Sequence, residues 1–122
     1  MGKMTSTSPE LAQTVVIGAL TATGPDGSNS PVPFLGPFNI GVWGVFVGTV
    51  AIQTSYDGGT TWLPVTNKFT NTALTFTAPA AFQEEEVEPG VLYRMNCTAY
   101  TSGTINYRLS EGAQAGRIER LT

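Results

Sequence analysis

A chain of 122 residues is the size of one domain, and only 12% of it is charged, against a usual share of about 25%. Nine acids against six bases leave a net charge of −3. No Lys/Arg cluster exists from which to build a groove for phosphates, so nucleic acid is not an expected partner. Histidine is absent, which removes the commonest general base and metal ligand, and the single Cys97 cannot close an intramolecular disulfide.

Residues 1–12 are rich in Ser and Thr, contain Pro9, and read as an N-terminal arm. Gly2 to Ser6 match the N-myristoylation pattern, which is broad enough to arise by chance. A period-two pattern begins at Gln13 and predicts a first strand to Leu20; the apolar stretch Val15 to Leu20 is too short and too polar-flanked for a signal peptide. Residues 21–33 form a loop marked by Gly24-Pro25-Asp26-Gly27, Pro31 and Pro33. Phe34 to Trp43 is a second extended segment, and its Gly36-Pro37 suggests an edge strand or a bulge.

Val45 to Tyr56 reads as a long strand with Phe46, Val50, Ile52 and Tyr56 on one face, and Gln53 and Ser55 on the opposite, wetter face. The apolar run from Ile40 to Ile52 is 13 residues long with three glycines, short of the ~20 needed to span a bilayer, so no membrane contact is expected. Asp57-Gly58-Gly59 predicts a tight turn, and Trp62 to Thr66 a returning antiparallel strand. Ala73 to Ala78 alternates Leu74 and Phe76 with Thr75 and Thr77, and Ala81 to Val87 is a further strand before the Pro89-Gly90 turn. Leu92 to Thr101 places Tyr93, Met95, Cys97 and Ala99 inward and leaves Tyr100 outward. Ser102-Gly103 then turns the chain into Thr104 to Ser110, where Ile105, Tyr107 and Leu109 share a face. Asn96-Cys97-Thr98 matches a glycosylation acceptor but lies within a strand.

Seven or eight short antiparallel strands between Gly/Pro turns predict an all-β fold, a β-sandwich or jelly roll over 13–110, with a C-terminal tail at 111–122. The hairpins at 45–66 and 91–110 are the expected framework pairs, one in each sheet.

Ser55-Tyr56-Asp57-Gly58-Gly59-Thr60-Thr61-Trp62 spells S-x-D-x-G-x-T-W, a sequence similar to the Asp-box of sialidase-type propellers. The spacing has a local cause: the Asp57 carboxylate accepts from backbone amides of the turn, glycine supplies φ > 0, and Trp62 packs beneath. A propeller needs several copies and this chain has one, so Ser55, Asp57, Gly59, Thr61 and Trp62 are expected to build a turn rather than a catalytic centre.

The only acidic concentration is Glu84, Glu85, Glu86 and Glu88. Strand alternation puts Glu84, Glu86 and Glu88 on one face, which permits three readings: oxygen ligands for Ca²⁺ or Mg²⁺, a solvated face that blocks edge pairing, or partners for Arg94, Arg108, Arg117 or Arg120 across a subunit interface. Ligands from other segments are not evident, so no metal or cofactor is expected. Asp26, Asp57, Glu10, Glu111 and Glu119 suggest no glycosidase pair, and Cys97 has no histidine to activate it.

Phe38-Asn39-Ile40, Trp43-Gly44, Thr49 to Ile52 and the 55–62 turn resemble small virion proteins of tailed bacteriophages. So do Tyr93-Arg94 and the stretches Tyr100 to Ile105 and Tyr107 to Ser110, over residues 38–110. The resemblance implies a head decoration (cement) protein, non-enzymatic, sitting as a homotrimer on the capsid exterior and bridging major capsid subunits. A carbohydrate- or receptor-binding module of a tail fibre or spike is the alternative. A surface this poor in charge relies on uncharged polar side chains or is covered by neighbours.

Overall fold

A computed structural model describes residues 13–112. The 1–12 arm and the tail beyond Gly112, with Glu10, Arg117, Glu119 and Arg120, lie outside the described residues. The strands in chain order are β1 (Val15–Leu20), β2 (Gly24–Pro25), β3 (Val32–Pro33), β4 (Gly36–Trp43), β5 (Phe46–Ser55) and β6 (Leu63–Pro64). They continue with β7 (Thr66–Asn67), β8 (Thr72–Ala73), β9 (Thr75–Phe76), β10 (Ala80–Glu86), β11 (Leu92–Gly103) and β12 (Ile105–Glu111). The fold is all-β: six of these strands have six or more residues and six are dipeptides.

One sheet has the order β1-β12-β4-β10 and is antiparallel throughout. The other is built on the β5–β11 pair, with β2 and β3 along the free edge of β11 and β6 and β9 along that of β5. The two pack face to face as a β-sandwich. Phe38, Ile40, Val42, Ile105, Tyr107 and Leu109 from the first meet Val50, Ile52, Tyr93, Met95 and Cys97 from the second in one buried cluster. Phe38 stacks on Phe34 at 4.7 Å between ring centres and meets the Tyr93 ring of the opposite sheet at 4.8 Å.

The sheets are two halves of one folded ribbon. β4 runs into β5, and β11 into β12, at a common corner. Phe38 faces Glu111 and Trp43 faces Asn106; beyond the bend Phe46 faces Gly103, with no residue gained or lost on either strand. The Thr104 amide donates to the Val45 carbonyl at 3.2 Å, holding the ribbon together at the fold line. Bending there requires glycine. Gly44 has φ 118° and Gly103 φ 89°, and a Cβ on Gly44 would lie 2.5 Å from the Thr104 carbonyl oxygen. Bulges between Cys97 and Ala99 and between Tyr100 and Ser102 add twist beside the corner.

This corner corrects the expected hairpin at 91–110. Its two arms do not pair with each other. The positive φ of Gly103 turns the chain from one sheet into the other, so 92–103 pairs with β5 while 105–111 pairs with β1 and β4. The 45–66 hairpin is short: Gln53 faces Pro64, Thr54 faces Leu63, and the Val65 amide reaches Ile52. Pro64 offers no amide to extend it.

Four positions also differ from the alternation. Ser55, expected on the wetter face, is fully buried. Tyr56 lies beyond the end of β5 and is exposed. The bulge after Cys97 reverses the phase, so Ala99 faces solvent and Tyr100 packs on the core, its hydroxyl donating to Gly103 O at 2.7 Å. The Phe34–Trp43 segment gives not an edge strand but the inner strand β4, between β12 and β10. Pro37 is tolerated because it precedes the first β12 pair, at Phe38, and lies against β10 alone.

Candidate functional site

The 55–62 turn is a closed hydrogen-bond circuit. Ser55, fully buried at the end of β5, donates through its hydroxyl to Asp57 Oδ1 at 2.8 Å and accepts from the Gly59 amide at 2.9 Å. The same Oδ1 accepts from the amides of Thr60 at 3.1 Å and Thr61 at 2.8 Å. These donors, the Thr61 amide first, hold the Asp57 carboxyl down at about 2. Trp62 turns its Nε1–H onto the Gly59 carbonyl at 3.0 Å, and the Arg94 guanidinium sits 4.1 Å over its ring while bonding Gln53 at 2.7 Å. The Ser55 hydroxyl, Asp57 Oδ1 and the Trp62 indole N–H are all directed within the motif, so this geometry holds a turn in place.

The acidic run divides. β10 is an edge strand, with Glu85 on the exposed face and Glu84 and Glu86 on the other. Of the three readings of the row, the solvated face does not hold at Glu86, which is buried. Its carboxylate takes the Tyr93 hydroxyl from the opposite sheet and, at 3.0 Å, the Glu88 amide just past the strand's end. Glu84 lies 3.6 Å from Lys68. With Thr54, Tyr56, Leu63 to Thr66 and Val87, these residues line a cleft of about 330 Å³ at the open end of the sandwich, opposite the corner. Among the described residues no three His, Cys, Asp or Glu side chains come together to hold a metal ion.

A second carboxylate ties down the 24–33 loop. Asp26 accepts from the Tyr107 hydroxyl, from Asn29 at 2.9 Å and from the Ser28 hydroxyl at 2.6 Å. Burial alone would raise its carboxyl, but these hydrogen bonds outweigh burial and hold it below the usual value. Glu111, which ends β12 rather than opening a tail, is buried and accepts from the Leu35 amide at 3.1 Å. None of these pairings has a spacing signature, so sequence reasoning missed them. Cys97 is buried, its thiol pushed up by burial and directed at the Ala99 carbonyl.

The feature most suited to binding is the corner. Residues 27–56 and 95–107 contain no charged side chain, and their segments 43–48 and 100–106 meet there. On its outside stand Val45, 92% exposed, Val47, 59%, and Trp43, 44%, beside exposed Thr101, Ser102 and Thr104. Ile17, 62% exposed, lies farther along the outer face of the β1-β12-β4-β10 sheet, with the exposed Arg108 as its cross-strand partner. A shallow groove of about 520 Å³ runs over Gly41 between Trp43, Asn39, Gln83 and Arg108. Apolar side chains this exposed are normal singly; a contiguous uncharged set is the mark of a surface that becomes covered. Compared with protein-family models, with curated proteins and with solved structures, the chain matches none.

Proposed function

We propose that this chain is a non-enzymatic structural protein of a virion. In this reading it is a capsid decoration (cement) protein that forms a homo-oligomer, a trimer in the simplest case, and binds the major capsid protein on the outside of a phage head. The observation that carries the proposal is the uncharged corner, where Trp43, Val45 and Val47 project from a bend built on two positive-φ glycines. A rigid apolar edge costs little to desolvate and loses little conformational freedom on contact. Repeated over a shell, weak contacts of this kind stabilise the assembly by mass action, since they form only on the assembled state. The pattern resemblance over 38–110 to small virion proteins supports the same reading. Co-sedimentation of the purified chain with capsids tests it: saturable binding is expected, abolished by Val45→Glu. Failure to bind capsids overturns it.

A second reading is favoured by the groove over Gly41. A half-exposed Trp43 ring beside Asn39, Gln83 and Arg108 is the chemistry of a sugar subsite, as in a tail-fibre module. A saturable change in Trp fluorescence on sugar titration, lost in Trp43→Ala, would favour it over the first.

A further inference from the structure

The outer face of the four-stranded sheet carries a hollow at its centre. With Phe38, Ile40 and Val42 in the core, β4 turns Asn39, Gly41 and Trp43 outward. The register sets Gln83 beside Asn39, and Ala81 and Arg108 on either side of Gly41. The row through Gly41 is therefore nearly bare on the β10 side, and it floors the groove of about 520 Å³.

Gly41 has no steric reason within the fold. A glycine inside a strand weakens it, and marks either unusual backbone or the close approach of another group. Gly24, Gly36 and Gly103 have positive φ. Gly18 and Gly48 are pressed by their own fold: a Cβ would lie 2.5 Å from the Asp26 carboxylate at the first and 2.6 Å from the Ala99 carbonyl oxygen at the second. Among the described strand glycines Gly41 alone has neither feature, and a Cβ there would meet only the Arg108 carbonyl oxygen, at 4.0 Å. The space above it is open to a group from outside the fold.

Building on the reading of this groove as a sugar subsite, we propose that it takes an acidic sugar of the uronate class. The carboxylate pairs with Arg108, the apolar face of the ring stacks on Trp43, and the hydroxyls meet Asn39 and Gln83.

Charge selects the class. Arg108 donates to Ser110 Oγ at 2.9 Å, a contact that orients the guanidinium and leaves most of its donors free. It forms no ion pair among the described residues, although acids outnumber bases there. The strands carry one carboxylate on this face, Glu85, and it is level with Pro37, four residues along β4 from the Gly41–Arg108 pair. A planar guanidinium with free donors matches a carboxylate in bidentate geometry. Gln83 donates to Asn39 at 3.3 Å, and the two amides keep donor and acceptor capacity for hydroxyls. Asn39 and Trp43 stand about 13 Å apart along the strand, with the bare glycine midway, a span that suits a single ring.

The test titrates the full chain, isotope-labelled for NMR, with methyl β-glucuronide, methyl β-glucoside and acetate at matched ionic strength, following the Trp43 indole N–H. Saturable binding of the glucuronide is expected, roughly threefold to tenfold tighter than the glucoside, the range one partly exposed charge-assisted contact supports. Arg108→Gln is expected to bring the two sugars level. Gly41→Val fills the hollow and is expected to abolish binding of both while the denaturation midpoint holds or rises, since the fold leaves room for a side chain there. Glucoside bound as tightly as glucuronide overturns the acidic-sugar assignment and leaves the sugar subsite standing; neither sugar bound overturns both. Acetate matching the glucuronide would assign Arg108 a bare anion and overturn the assignment too. So would Gly41→Val that binds like the parent chain, or that loses stability and so gives the glycine a role in the fold.

Discussion

The Tyr93 hydroxyl of β11 donates to the Glu86 carboxylate of β10, so one hydrogen bond joins the two sheets at the end of the sandwich farthest from the corner. At the corner the sheets are joined by the chain itself. At the open end they are held by core packing and by this contact. Tyr93→Phe removes the donor and leaves the buried Glu86 carboxylate with the Glu88 amide alone. The expected loss is about 1–3 kcal/mol in denaturant unfolding. A change within experimental error would mean that water replaces the hydroxyl.

Tyr93 and Tyr107 also set an alkaline limit. Burial first, and then the carboxylate each one bonds, raise both phenols above the ordinary 10.0. A group whose folded pKa is raised contributes stability that is complete below the unfolded value and lost as pH rises through the folded one. Stability is therefore expected to fall steadily above pH 10. An absorbance titration should show two phenols ionising only as the fold is lost, with one such late step removed in each of Tyr93→Phe and Tyr107→Phe.

Asp57 has the opposite sign. Its carboxyl is lowered from 3.8 to about 2, so its contribution is present above pH 4 and disappears as pH falls toward 2. Asp57→Ala is expected to lower the melting temperature at pH 7 and to differ little from the parent chain near pH 2. A difference that persists unchanged at pH 2 would assign the loss to the turn's backbone instead of its charge.

The corner glycines should be far less tolerant than the turn glycines. Gly103→Ala places a methyl group against the Val45 carbonyl at a φ of 89°, and Gly44→Ala meets Thr104 O at 2.5 Å. Strain of this kind costs about 1–3 kcal/mol per site before the clash is counted. Gly58→Ala, at φ 77° with open space around its Cβ position, carries the backbone term alone. Thermal unfolding of the three variants orders them, with Gly58→Ala the mildest.

Much of the fold was legible in the sequence, because a sandwich core imposes period two on the strands that line it. Met95 and Cys97 inward, Ile105, Tyr107 and Leu109 on one face, and Leu74 with Phe76 buried all follow from alternation. Alternation cannot report where a ribbon folds over. Ser102-Gly103 reads like a hairpin turn, yet the same positive-φ glycine serves a sheet-to-sheet bend, and only the pairing partners distinguish the two. A bulge erases phase for the same reason, which is why Ala99 and Tyr100 exchanged places. The buried carboxylates were hidden because Glu86–Tyr93 and Asp26–Tyr107 are tertiary pairings across seven and 81 residues with no motif. The uncharged corner was half visible: two stretches free of charge could be read, but not that the fold superimposes them.

The central claim is that the corner bearing Trp43, Val45 and Val47 is an assembly surface, and light scattering on size-exclusion eluate tests it most directly. The parent chain is expected to elute as a multiple of 12.9 kDa. Val45→Glu with Val47→Glu is expected to elute at 12.9 kDa, with stability changed by no more than about 0.5 kcal/mol per exposed site. A parent chain that stays at 12.9 kDa at every concentration, or a multiple unaffected by the two glutamates, contradicts the claim.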